Sequence, residues 1–314
     1  MHVWGYEAGL RSHPGAELVG VWDDEPDRAE DFAQKTGLPY VGYLEDLLAA
    51  VDAVVICSEN RKHTEMVEAA AAAGRHILCE KPLIAVAEDA ARMEEAVEKS
   101  GIKFMTAFPC RFSPAFQRLR TRVLAGEIGD VQGIAATNRG RCPGGWFIQP
   151  ELSGGGAMID HVVHVTDLLR NLLGEEPVSV QAQIGSNMYG ENWDDTAMLT
   201  LEFPSGVFAT LDSSWSRPQS FKTWGDVTMS VTGDKGVIEL DMFGCGLDHY
   251  HEGPVTHSLA GYGTNLDAAM IAGFVDACLN DTDVPVTLKD GLQASRVALA
   301  GYRSARLGQP VAVN

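Results

Sequence analysis

The stretch Ala71-Ala72-Ala73-Gly74-Arg75-His76-Ile77-Leu78-Cys79-Glu80-Lys81-Pro82 decides the fold. An alanine-rich helix over residues 63–73 stops at Gly74, which tolerates the left-handed backbone of a helix end. His76 to Cys79 is a short, continuously apolar run and reads as a buried parallel strand. Charge and proline follow at once. The same unit recurs on both sides. Helices are expected over 5–13, 26–36, 43–50 and 85–100, and further buried strands over 17–22, 53–57 and 103–107. Pro26 suits a first helical turn and Gly37 the residue past the last. Such alternation argues for a doubly wound α/β sheet of the Rossmann type.

After about residue 110 the pattern changes. Residues 115–125 and 158–173 read as helices and 131–137 as a strand. Alternating apolar positions then recur at 197–203, 207–211, 227–231 and 237–240, joined by Pro204-Ser205-Gly206 and Gly233-Asp234-Lys235-Gly236. Tight turns between alternating strands indicate a mainly antiparallel, open sheet with one face covered. Helices over 265–279 and 289–305 close this α+β part. The expected division is a Rossmann-type domain over 1–109 and an α+β domain over 110–314.

Composition narrows the function. The chain has 314 residues and a formal net charge of −19. A surface this acidic repels nucleic acid and anionic membranes. The acid is spread along the chain, which fits either a salt-adapted cytoplasm or the bias of an acidic, GC-rich genome. No apolar run reaches the ~18 residues of a membrane span. The start lacks the basic and apolar regions of a signal peptide, so a cytoplasmic protein is expected. Cysteines at 57, 79, 110, 142, 245 and 278 form no C-x-x-C pair and read as reduced thiols.

Two clusters carry candidate chemistry. Glu80-Lys81-Pro82 lies at the carboxyl end of a parallel strand, where open α/β sheets bind ligands. Lys81 suits a charge-assisted bond to a substrate hydroxyl, although a plain surface lysine in a turn fits as well. The second cluster is Gly154-Gly155-Gly156 followed by the helix that carries Asp160, His161, His164 and Asp167. Three glycines let the backbone pass close to a ligand or to another strand. Asp160 and His164, four apart, form a serviceable acid/base pair. His161 and His164 are spaced for a metal, but with no further ligand cluster no metal is expected. A helix with two satisfied histidines is the bland reading.

Asp23, with Asp24 beside it, stands where an acidic side chain bonds the adenosine ribose and favours NAD over NADP. Arg28 blurs that preference, and Asp24 serves equally as a helix cap. Ser58, Asn60 and His63 follow the next strand end and join Glu80 and Lys81 as expected cofactor contacts. Arg111, Asn138, Arg139, Trp146 and His161 are the expected substrate contacts. Arginine bonds hydroxyls and tryptophan stacks on sugar faces, chemistry that Trp215 and Trp224 also offer.

With these residues in place, the sequence resembles the glucose–fructose oxidoreductase / inositol dehydrogenase / MocA family over essentially its whole length. Glu80-Lys81-Pro82 looks like the first motif of that family, and Gly154 through Asp167 like the second. The resemblance implies an NAD(P)-dependent oxidoreductase that moves hydride between nicotinamide and a secondary hydroxyl or ketone of a sugar or cyclitol. It makes Lys81, Asp160 and His164 the catalytic residues, with His164 the acid/base. It implies NAD or NADP as cofactor, with NAD the favoured one, and a homodimer or homotetramer. Three departures stand out. The family opens with a strand and a G-x-G-x-x-G type turn, whereas this sequence starts inside what should be the first helix. A mis-called start and a real loss of cofactor binding both account for that. Glu59 stands where the family often has proline, and Val162 where it often has glycine. The alternatives are a redox-neutral enzyme that eliminates, hydrolyses or epimerises by transient oxidation, and a non-catalytic sugar-binding or regulatory protein.

Overall fold

The structure is a computed structural model that describes residues 2–244, 246–250, 257–261 and 263–313. Cys245 lies outside the described residues. In chain order the main elements are α1 (Val3–Ser12), α2 (Pro26–Thr36), α3 (Leu44–Ala50), β1 (Ala53–Ile56), α4 (His63–Ala72), β2 (His76–Cys79), α5 (Asp89–Ser100), β3 (Phe104–Thr106), α6 (Pro114–Leu124), β4 (Val131–Thr137), α7 (Pro150–Ser153) and α8 (Ala157–Leu173). They continue with β5 (Ser179–Gly185), β6 (Thr196–Glu202), β7 (Phe208–Asp212), β8 (Thr228–Gly233), β9 (Gly236–Asp241), β10 (Gly246–Tyr250), β11 (His257–Gly261), α9 (Leu266–Asn280), α10 (Leu288–Leu307) and β12 (Val311–Ala312). Among the described residues no helix is long and apolar enough to cross a membrane.

Two compact units form, residues 1–107 with 267–290 and residues 108–266 with 291–314. The division differs from a single cut at 109/110, because the segment 267–290 belongs to the first unit. Hydrogen bonds explain it. Thr106 donates its N–H to Val286 O at 3.1 Å and its hydroxyl to Thr287 O at 2.9 Å. Gly9 of α1 lies close against Ile271 of α9, and a Cβ there would sit 3.2 Å from that side chain.

In the first unit, β1, β2 and β3 form a parallel sheet in that order, with Val55 opposite Leu78 and Leu78 opposite Met105. Ile77, Leu78 and Cys79 are fully buried, as the strands of a sheet covered on both faces must be. Helix α4 supplies Val67, Ala70 and Ala71 to the core and ends as expected at Gly74, whose φ is +72°. The expected strand at 17–22 does not form. Only Val21 bridges, donating to Pro39 O and accepting from Val41 N–H, both at 2.9 Å. A strand needs hydrogen-bonded neighbours along its length. On its other side this segment borders a cavity of about 570 Å³ that Leu18, Val19, Val54, Val55 and Phe274 line. The helix expected from residue 85 begins at Asp89 instead. Leu83, Ile84 and Ala85 are buried in a non-helical run that serves the core first.

The second unit is a seven-stranded sheet of order β12-β5-β6-β7-β4-β8-β9, antiparallel except for β4 beside β7. Alternation on β6 buries Ala197, Leu199 and Leu201 and exposes Met198. Leu199 packs near Gly301 of α10, where Met158 of α8 also arrives. Helix α8 is buried on nearly every side, and Val162, Val163, Val165, Leu168 and Leu169 are all fully buried. Each such side chain contributes about 1.5–3 kcal/mol. Gly174, with φ +70°, ends it. The opposite face of the sheet is open, with Met198 and Phe208 exposed.

Candidate functional site

Each unit carries one group of site residues. In the first, they sit at the carboxyl ends of parallel strands. Glu80 follows β2 and is buried. Its Oε1 lies 2.7 Å from His2 Nδ1, and its Oε2 accepts the Lys81 N–H at 3.0 Å. Burial pushes the Glu80 carboxyl up, but His2, Lys81 and the Tyr6 hydroxyl hold it down to about 2. Lys81 is itself buried, and the Lys81–Pro82 peptide is cis. His63 is fully buried, with Nδ1 2.8 Å from Pro82 O and Nε2 3.2 Å from Ser58 O. It therefore braces the segment after β1 against the one after β2. Burial pushes its pKa down. Asn60 is buried in the short turn Asn60–Lys62.

Asp23 and Asp24 are engaged. Arg28 donates to both oxygens of Asp23 at 2.7 Å and to Asp24 at 3.2 Å. It also reaches Glu59 Oε1 at 2.8 Å. Lys62 bridges Glu59 at 3.0 Å and Asp24 at 2.5 Å. The Glu59 side chain is only 5% exposed. A dinucleotide fits this half at the strand ends. Ser58 Oγ is buried without a hydrogen-bond partner among the described residues, and carboxylates suited to ribose hydroxyls stand after residue 22. Ser58, Asp23 and Asp24 would hold it. A glycine turn for the pyrophosphate is not among the described residues, because α1 opens directly behind His2.

In the second unit the glycine run explains itself. A Cβ on Gly155 would lie 2.0 Å from Tyr302 Oη, and one on Gly156 would lie 2.0 Å from Asp194 O. The sequence left two reasons open for these glycines, and here they admit a close approach by the chain itself. Asp194 then caps α8. Its carboxylate accepts the N–H groups of Gly156 at 2.9 Å and Met158 at 2.7 Å, and the Tyr302 hydroxyl at 2.8 Å. Neither Asp194 nor Tyr302 was singled out in the sequence. They lie 108 positions apart, and the pair Asp194-Asp195 before a strand signals nothing by itself.

The helix so anchored presents Asp160 and His161, both buried, and the partly buried His164. Asp160 Oδ2 accepts the indole N–H of Trp215 at 3.2 Å and lies 3.2 Å from His161 Nε2. His161 Nδ1 donates to Asn138 O at 2.8 Å. The His164 ring meets Phe108 edge-on, with centroids 6.0 Å apart. Trp215 is 1% exposed and packs with Trp193 and Ala157. It orients Asp160, so it offers no face for a sugar to stack on.

The expected substrate contacts divide. Asn138 is buried, its Nδ2 donates to Asp226 O at 3.1 Å, and its Oδ1 has no partner among the described residues. Trp146 is partly exposed and stacks on Phe147 with centroids 3.9 Å apart. Arg139 and Arg217 converge on Asp226, at 3.2 Å for Arg139 and 3.0 Å for Arg217 Nε. Arg111 is buried and forms a two-point pair with Asp167, Nε to Oδ2 at 2.9 Å, so it ties the start of this unit to α8. Among the described residues no group of three or more His, Cys, Asp or Glu side chains could hold a metal ion.

Comparison with known proteins shows the family. Residues 5–108 match the oxidoreductase family with an NAD-binding Rossmann fold, and residues 116–239 match the GFO/IDH/MocA C-terminal domain. The chain belongs to the Gfo/Idh/MocA oxidoreductase family. Among Gfo/Idh/MocA proteins it is 30% identical to scyllo-inositol 2-dehydrogenase (NAD(+)) of Bacillus subtilis, over 96% of this chain and 90% of that one. It is 31% identical to inositol 2-dehydrogenase of Rhizobium meliloti, over 92% and 89%. It also superposes on the crystal structure of GenD2 from gentamicin A biosynthesis in complex with NAD. That match has a TM-score of 0.90 at 25% identity and covers 99% of this chain and 93% of the other. The resemblance drawn from Glu80-Lys81-Pro82 and from Gly154 through Asp167 is borne out at the level of the family.

Proposed function

We propose that this Gfo/Idh/MocA protein is a dehydrogenase that oxidises a secondary hydroxyl of a sugar or cyclitol with NAD. The observation that carries the reading is the helix α8. It is capped by Asp194 and presents buried Asp160, oriented by Trp215 and His161, one turn before the less buried His164. When bound, NAD supplies the hydride acceptor. His164 takes the hydroxyl proton. Asp160 orients the His161 imidazole beside it. Lys81 favours the alkoxide by its charge. Asn138 and Trp146 supply an acceptor and an aromatic face for the polyol. The relatives named for inositol support this substrate class.

The same reading makes the protein a cytoplasmic homodimer or homotetramer. Cys57, Cys79, Cys110, Cys142 and Cys278 are free thiols. The open sheet face, with exposed Met198 and Phe208, is the surface through which copies pair. Light scattering on the purified protein tests the assembly, and a monomer refutes that part. A panel of inositols and aldoses with NAD tests the activity, read as NADH formed. His164→Ala should abolish the gain in rate toward alkaline pH, and an unchanged profile would remove His164 as the base.

A further inference from the structure

Five charged side chains meet where the segment after residue 22 faces the one after β1. Glu59 is the least exposed of them, at 5% of its side chain, against 43% for Arg28 and 27% for Lys62. It holds Arg28 at 2.8 Å and Lys62 at 3.0 Å, while those cations hold Asp23 and Asp24. Three carboxylates against two cations leave one net negative charge. Both cations are committed, and the most buried member of the cluster commits them.

This arrangement bears on the nucleotide, and the argument rests on the dehydrogenase reading above. In a Rossmann domain an acidic side chain placed as Asp23 is bonds the adenosine ribose. NADP differs from NAD by a phosphate on that ribose, which needs free cations. Arg28 and Lys62 are the cations in reach of Asp23 and Asp24, and each is already paired. We propose that Glu59 is the specificity-determining residue for NAD over NADP. By fixing Arg28 and Lys62 against Asp23 and Asp24, it leaves ribose hydroxyls a carboxylate to bond and a phosphate a net negative field. The shifts at these groups agree with the geometry. Burial pushes the Glu59 carboxyl up, yet its bonds to Arg28 and Lys62 bring it below the usual range. Burial pushes the Lys62 ammonium down, yet Asp24 and Glu59 raise it.

The test is a fluorescence titration of the whole chain with NADH and with NADPH, with no substrate present. Wild type should bind NADH at least about tenfold tighter than NADPH. Glu59→Gln removes one negative charge and takes one of the ion-pair partners from each of Arg28 and Lys62, which keep Asp23 and Asp24. It should narrow that ratio about five- to tenfold, chiefly by tightening NADPH, and should make NADPH binding steeper in salt. Glu59→Asp keeps the charge and should stay near wild type. Lys62→Gln should widen the preference for NADH, which keeps the test alive if Glu59→Gln fails to fold by circular dichroism. An unchanged ratio in Glu59→Gln and Lys62→Gln, or a wild type that prefers NADPH, overturns the assignment and leaves the dehydrogenase reading standing. If no form binds either dinucleotide, the dehydrogenase reading falls and the assignment falls with it.

Discussion

Asp194→Ala removes three hydrogen bonds at the start of α8, from Gly156 N–H, Met158 N–H and the Tyr302 hydroxyl. An N-cap is worth about 0.5–2 kcal/mol. Each buried donor left without a partner costs about 1–3 kcal/mol more. Gly156 N–H keeps the Tyr302 oxygen at 3.1 Å, and Ala157 N–H keeps the main-chain oxygen of residue 194 at 2.7 Å. Met158 N–H and the tyrosine hydroxyl are therefore the chief orphans, and the loss should be about 3 kcal/mol. For a body of this size that lowers the thermal midpoint by about 6–12 °C. Charge is not the source of this stability. Burial raises the Asp194 pKa in spite of its hydrogen bonds. The folded chain then binds a proton more readily than the unfolded one, and the group's contribution falls as pH rises above the ordinary carboxylate range. Asp194→Asn keeps an acceptor for Gly156 and Tyr302 but turns an amide toward Met158 N–H, so it should lose about half as much. Urea denaturation near neutral pH measures all three proteins. An Asp194→Ala variant within about 0.5 kcal/mol of wild type would refute the capping argument.

The remaining predictions concern other buried charges. Asp167→Asn or Arg111→Ala leaves half of a buried ion pair behind and should cost about 3–5 kcal/mol by denaturant titration. Exchanging both for apolar residues of similar volume should cost much less. Glu80 is held down to about 2 from an ordinary 4.5. Its stabilisation is complete above the unfolded value and lost as pH falls from there toward 2. Glu80→Gln should therefore flatten the acid limb of a stability–pH curve by up to about 3 kcal/mol. An acid limb of unchanged slope would mean that His2 and Lys81 do not stabilise the carboxylate. Lys81→Ala should cut turnover severely and leave the thermal midpoint within a few degrees, whereas wild-type turnover would make the motif structural.

Much of this was legible in the sequence, and the exceptions share a cause. β1 and β2 announced themselves because Val54-Val55-Ile56 and Ile77-Leu78-Cys79 are apolar runs bounded by turn residues. The segment over 17–22 has the same composition but forms no strand, since strand structure belongs to a pair and only Val21 finds a neighbour. The motifs at Glu80-Lys81-Pro82 and Gly154 through Asp167 were readable as families of residue types. What each residue touches was not. Asp23 was expected to offer its carboxylate to ribose, and it is found in a two-point pair with Arg28. Arg111 read as a substrate contact and is spent on Asp167. Trp215 read as a stacking surface, and its indole N–H holds Asp160. The cap on α8 comes from Asp194, a residue 36 positions beyond the Met158 N–H it accepts. Local pattern records burial and helix ends, whereas partners brought together by the fold leave no spacing to read.

The central claim is hydride transfer from a polyol, and the appearance of NADH tests it most directly. The purified chain is mixed with NAD and, one at a time, with myo-inositol, scyllo-inositol and common aldoses, beside Lys81→Ala and His164→Ala. The account predicts NADH with at least one of these polyols, formed by wild type and lost in both variants. NADH formed equally by all three proteins, or NADH binding without formation from any polyol, would contradict it.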